Sequence, residues 1–210
     1  MILNRGTNLK IVLKVVGLTL LTSCVIAINE NNYRLLTAES KKHIRPFTMD
    51  LLNRKQNYKD SIFIYEISSR DIKQITQKHK YTWIHFWAPW CPNKSCINVA
   101  GIMDEVREME KGKDFVELLV AREYDFDGIK SRLENSDFTQ PVLILSDSIY
   151  GHKQVRGIRL FASEVDNNSL IKNKDFITEY LFCDTLLAVA ALNLSPKQID
   201  SVVNYKKINP

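Results

Sequence analysis

In FWAPWCPNKSC, residues 86–96, a tryptophan and a proline stand beside one cysteine, and four residues pass before the next. Just ahead, YTWIHFWA (81–88) has the aromatic and apolar density of a buried strand. From about Ser95 to Lys111, Val99, Ile102, Met103, Val106 and Met109 share one helical face, so a helix is predicted there. Cys91 therefore stands where a strand hands over to a helix. Unsatisfied N–H groups and the positive end of the helix dipole favour a thiolate at such a point. A thiolate attacks a disulfide, and a second thiol resolves the mixed disulfide.

The spacing leaves two geometries open. On one regular helix, five steps turn Cys96 about 140° away from Cys91 and set the Cα atoms about 8.6 Å apart. A disulfide needs less than about 7 Å. Alternatively, Pro92-Asn93-Lys94 forms a longer loop, with Asn93 or Ser95 capping a later helix start. Cys96 then falls three residues before Val99 and seven before Met103, on the buried face. That position suits a shielded resolving thiol and an inert core cysteine equally. Lys94 either adds positive charge beside Cys91 or is a solvated loop lysine.

Outward from this stretch, strands and helices alternate. SIFIYEI (61–67) predicts a strand, and Ser68 or Ser69 caps a helix over residues 70–79. FVELLVAREY (115–124) predicts a strand, FDGIKSRLEN (126–135) a short amphipathic helix and PVLILSD (141–147) another strand. Gly151 and Gly157 punctuate a predicted hairpin from Val142 to Phe161. A longer helix is predicted over residues 174–192, where Phe176, Tyr180, Cys183 and Leu187 follow helical spacing, and Cys183 is read as a core thiol outside any disulfide. Ser195-Pro196 opens a final helix. The pattern is that of an α/β domain with a mixed sheet.

Phe86-Trp87-Ala88-Pro89-Trp90-Cys91, closing a strand and opening a helix, resembles the active-site entry of the thioredoxin superfamily. Gln140-Pro141 before a strand, roughly fifty residues on, resembles that family's cis-proline loop, and the element order from about 59 to 192 is similar too. The resemblance implies a thioredoxin-like three-layer α/β/α fold with a mixed central sheet, and thiol–disulfide oxidoreductase activity without a cofactor. It implies that Cys91 attacks and Cys96 resolves, and that Trp90, Gln140 and Pro141 shape the substrate groove with Pro141 cis. The four-residue spacing is the departure from the family. His85 takes a strand position where thioredoxins often carry a buried proton-relaying acid. It is read either as a relay or as a satisfied histidine on the Trp83/Trp87 face.

The N-terminus sets the compartment. MILNRGTNLK is a cationic start and VVGLTLL an apolar middle, the arrangement of an export signal. Leu21-Thr22-Ser23-Cys24 resembles the bacterial lipobox, which implies a signal peptide over 1–23, acylation of Cys24 and a membrane anchor. The uncharged run from Val15 to Ile28 is short of the roughly 20 residues a spanning helix needs. Residues 24–58, rich in Asn, Lys, Arg and Glu, are expected to form a tether, and 59–210 the thioredoxin-like domain with C-terminal helices. The expected place is the bacterial cell envelope, facing the periplasm or exterior, where cysteine pairs can be oxidised.

At 210 residues with 45% hydrophobic composition, the chain has enough apolar residues for a real core. Of the net charge of +5, the three cations Arg5, Lys10 and Lys14 lie in the signal segment, and no dense basic run follows, so nucleic-acid binding is not expected. The histidines at 43, 79, 85 and 152 are scattered, and no metal site is expected. The expected partners are thiols or disulfides of exported proteins and an upstream redox partner. Two other functions stay open: a non-catalytic binding module on the same fold, and a thiol peroxidase. The second is disfavoured because Ala88 stands three residues before Cys91, where such enzymes carry a threonine.

Overall fold

The computed structural model describes residues 30–166, 177–191 and 194–208. The chain divides into two units, Met1–Glu30 and Asn31–Pro210, and the strands and helices among the described residues all belong to the second. The signal segment and Cys24 lie outside the described residues.

The strands are β1 (Ile44–Pro46), β2 (Ile64–Ile67), β3 (Tyr81–Trp87), β4 (Phe115–Ala121), β5 (Val142–Leu145), β6 (Glu179–Cys183) and β7 (Leu186–Ala191). The helices are α1 (Ala38–Lys41), α2 (Ser69–Lys78), α3 (Lys94–Ile97), α4 (Val99–Met109), α5 (Phe126–Leu133), α6 (Asp147–Tyr150), α7 (Gln154–Val165) and α8 (Pro196–Ile208). The sheet order is β1-β2-β5-β4-β3-β6-β7. Strands β1 to β5 run parallel; β6 is antiparallel to both β3 and β7.

Side chains on a strand alternate between faces, and β3 uses both. Ile84 and Phe86 join Ile72 and Ile75 of α2 and Ile158, Phe161 and Val165 of α7 in one core. Tyr81, Trp83 and Trp87 join Val99, Met103 and Val106 of α4, Ile129 and Leu133 of α5, and Ile199 and Val203 of α8 in the other. The result is the expected three-layer α/β/α architecture around a mixed sheet.

Three expectations need correction. Residues 31–58 are not a tether: β1 extends the sheet, and Phe47, Leu51 and Tyr58 are buried. Apolar residues are sparse in this stretch, yet these three fill places in the cores. The hairpin predicted from Val142 to Phe161 is one strand, β5, followed by α6 and α7, with Gly151 (φ +73°) making the turn between those helices. The helix predicted over 174–192 is instead, in its described part, the hairpin β6–β7, turning at Asp184 (φ 53°). In EYLFC, Tyr180 and Phe182 enter one core while Leu181 enters the other. An apolar run covered on both faces carries no strand period in its sequence. Cys183 consequently ends a strand rather than sitting in a helix; it is half-buried against the second core and takes no part in the disulfide.

Candidate active site

β3 delivers Trp87-Ala88-Pro89-Trp90-Cys91 to the edge of the sheet formed by the C-terminal ends of its parallel strands. The chain turns there, with Cys91 N–H donating to the Ala88 carbonyl at 3.1 Å. Helix resumes only at Lys94, with Asn93 in extended conformation (φ −66°, ψ 146°) at the N-cap position. After the single turn α3, Asn98 (φ −99°, ψ 30°) interrupts the helix, and α4 starts at Val99. This is the late-start geometry. Cys91 and Cys96 form a disulfide with Cα atoms 5.7 Å apart, well inside the range such a bond needs.

The late start also changes the electrostatics expected from sequence. Cys91 stands ahead of the cap residue, and only one helical turn follows before the break at Asn98. A macrodipole builds up over aligned peptide units, so the support it lends to a Cys91 thiolate is smaller than a long helix would give. The Asn93 side chain makes no capping hydrogen bond either. Lys94 is exposed, as a solvated loop lysine would be.

Both cysteines are half-buried, and large apolar side chains flank them in solvent: Trp90 is 46% exposed and Ile97 48%. Behind them the loop is held by specific bonds. Trp87 Nε1 donates to the Cys96 carbonyl at 2.9 Å, and Arg132 Nε of α5 donates to the Pro89 carbonyl at 3.1 Å. Arg122 N–H donates to the Trp87 carbonyl at 2.8 Å.

His85 faces a partner that sequence patterning does not reveal. Its Nδ1 lies 2.6 Å from Glu179 Oε1, and Trp83 Nε1 donates to Glu179 Oε2 at 2.7 Å. Glu179 is only 2% exposed and sits directly across from His85 in the β3–β6 ladder. A carboxylate accepting at Nδ1 fixes the imidazole tautomer and leaves Nε2 as the nitrogen that can take a proton. The helix expected over its segment hides Glu179. Only period-two pairing with β3 reveals it.

Gln140 and Pro141 do not approach the cysteines. β3, β4 and β5 are parallel, so a residue preceding β5 lies at the opposite edge of the sheet from one that follows β3. The Gln140–Pro141 peptide is trans. Gln140 Nε2 donates to Glu117 at 2.7 Å, and the Tyr58 hydroxyl donates to the Gln140 carbonyl. Both residues line a cavity of about 600 Å³ with Phe47, Leu51 and Arg107. The segment that does lie beside the end of β3 is Ile177-Thr178, leading into antiparallel β6: Phe86 N–H donates to the Thr178 carbonyl at 2.7 Å. It contains no proline, so no sequence signal marks it.

Buried carboxyls occur at both edges. Burial pushes Glu117 up to about 7, against the pull of Arg107 and Gln140. Burial, then the charge of Asp125, pushes Glu123 up to about 7, against Arg122 and Asn32. Among the described residues no three His, Cys, Asp or Glu side chains converge in a group that could hold a metal ion.

No protein-family model matches the chain, and no curated protein does. Solved structures do. A putative thiol-disulfide oxidoreductase from Bacteroides vulgatus is 16% identical, with 74% of this chain and 85% of that one covered at a TM-score of 0.40. A thioredoxin-family thiol:disulfide interchange protein from Chlorobium tepidum is 14% identical, with 72% and 90% covered at a TM-score of 0.43. Yeast Sco1 with copper bound is 15% identical, with 64% and 82% covered at a TM-score of 0.41.

Proposed function

We propose that this chain is a membrane-anchored thiol–disulfide oxidoreductase acting on cysteines of exported proteins, held at a bacterial membrane through acylated Cys24. The observation that carries the reading is the Cys91–Cys96 disulfide at an accessible edge of the sheet, flanked by exposed Trp90 and Ile97. In the reducing direction the Cys91 thiolate attacks a substrate disulfide, forming a mixed disulfide and releasing one substrate thiolate, which takes a proton from solvent. Cys96 then attacks Cys91 Sγ, closing the internal disulfide and releasing the second substrate thiolate. A dithiol partner upstream returns the pair to the reduced state. In the oxidising direction the same steps run in reverse.

Trp90 and Ile97 give an incoming chain apolar surface beside the reacting sulfur. His85, oriented by Glu179, serves as the proton acceptor for the half-buried Cys96 thiol during resolution.

Thiol trapping across a glutathione redox titration tests the reading. The expected result is one reversible two-electron transition that Cys91→Ala and Cys96→Ala each abolish and that Cys183→Ala leaves unchanged. A disulfide that stays closed across the whole range, with no exchange, supports a binding module instead.

A further inference from the structure

The one-turn helix that carries Cys96 has few holds beyond the partial packing of Cys96 against the second core. None of its residues is buried, its N-cap side chain makes no bond, and its main-chain bonds to the flanking turns are Ile97 N–H to Asn93 O and Asn98 N–H to Lys94 O, each 2.9 Å. Isolated helices far longer than four residues are marginal in water. The break at Asn98 also frees the Cys96 carbonyl. In a continuous helix it would accept the N–H of Ala100; here it accepts the indole N–H of Trp87 at 2.9 Å. Trp87 itself is fixed: it is almost fully buried, it is the last residue of β3, and it packs in the core that contains Val99, Ala100 and Met103.

We infer that Trp87 is the positioning residue of the redox pair: its indole N–H holds the Cys96 turn against the end of β3 when the disulfide is open, so that Cys96 stays within reach of Cys91 despite the four-residue spacing. The inference rests on the thiol–disulfide reading above and adds to it a specific cause for ring closure. The step affected is the second one. In a Cys91–glutathione mixed disulfide, Cys96 thiolate attacks Cys91 Sγ, the internal disulfide forms, the bond to glutathione breaks, and glutathione leaves as a thiolate that is protonated by solvent. Without the indole bond the open form gains freedom that closure must remove, so closure becomes less favourable. Formation of the mixed disulfide at Cys91 does not involve the bond.

The test is Trp87→Phe in the full chain, which keeps an aromatic ring and deletes the donor. Equilibration with reduced and oxidised glutathione is expected to show the effective concentration of the pair lowered about three- to tenfold, the worth of one net hydrogen bond. The rate at which glutathione disulfide first modifies reduced Cys91 is expected to be unchanged. A variant that is less stable to urea but keeps the wild-type effective concentration would overturn the inference, because a merely structural tryptophan lowers stability alone. If the variant does not fold, hydrogen exchange of the Trp87 indole proton in the reduced wild-type protein decides. Protection as strong as in the oxidised protein supports the inference, and a marked loss of protection on reduction overturns it. Failure of the wild-type pair to exchange with glutathione is a different outcome: it removes the proposed activity, while the indole measurement still reports whether the turn is held.

Discussion

His85, Glu179 and Trp83 form a buried polar set in which each carboxylate oxygen of Glu179 has one donor or imidazole partner. Removing the carboxylate leaves the imidazole tautomer unfixed and an indole N–H buried without its acceptor, which costs on the order of 1–3 kcal/mol. Glu179→Gln, which keeps the shape and can still accept from Trp83, is therefore expected to lose less stability than Glu179→Ala. Both are expected to slow resolution of the mixed disulfide and to alter its pH–rate profile. A pH–rate profile identical to wild type in Glu179→Gln would remove the dyad from the mechanism. At Trp90, truncation to Ala deletes apolar surface that no core residue shares. It is expected to weaken exchange with peptide disulfides several-fold while leaving exchange with glutathione, which is too small to span the rim, nearly unchanged. Equal loss for both substrates would contradict a docking role.

At the scale of elements, the break at Asn98 separates a tethered turn from a packed helix, while the extended Asn93 and the late helix start at Lys94 bring cysteines five positions apart within bonding distance. The sequence carried much of this. Trp83 and Trp87 marked β3, the apolar face of 99–109 marked α4, and Pro92 with Asn93 allowed a late start. It did not carry the choice between the two geometries, because neither the extended conformation of Asn93 nor the contact of Trp87 with the Cys96 carbonyl is encoded by a spacing rule. The placement of Gln140 and Pro141 beside the cysteines, unlike that of Trp90, fails for a related reason. Gln140-Pro141 has the local signature of a strand entry, but β5 enters parallel to β3 and so begins at the far edge. The segment next to the site precedes an antiparallel strand whose doubly covered residues, such as Tyr180 and Leu181, read as helix. Direction and order of strands are properties of the sheet, and short-range pattern does not hold them.

Across the whole molecule, the residues from β1 to Tyr58 are structural. Phe47 and Leu51 belong to the same core as Ile67 and Leu143, and β1 pairs with β2. Leu51→Ala is expected to cost about 2–4 kcal/mol, and a chain starting at residue 59 to unfold at much lower urea than one starting at residue 31. Equal midpoints for the two would restore the tether. Stability also depends on pH in a stated direction. Glu117 and Glu123 both hold their protons more tightly when folded, at about 7, than an unfolded glutamate does near 4.5. Their contribution is full below about 4.5 and is lost as pH rises through 7. The urea midpoint is expected to fall between pH 5 and pH 8, and Glu117→Gln to remove on the order of 1–3 kcal/mol of that fall. A midpoint that rises over this window would contradict the burial of these carboxyls.

Intact-mass analysis of Cys96→Ala and Cys91→Ala after exposure to glutathione disulfide separates the attacking cysteine, Cys91, from the resolving one, Cys96. Cys96→Ala is expected to accumulate a stable glutathione adduct at Cys91, whereas Cys91→Ala remains largely unmodified at Cys96, which packs partly against the second core. An adduct that forms faster on Cys96, or on neither cysteine, would contradict that assignment.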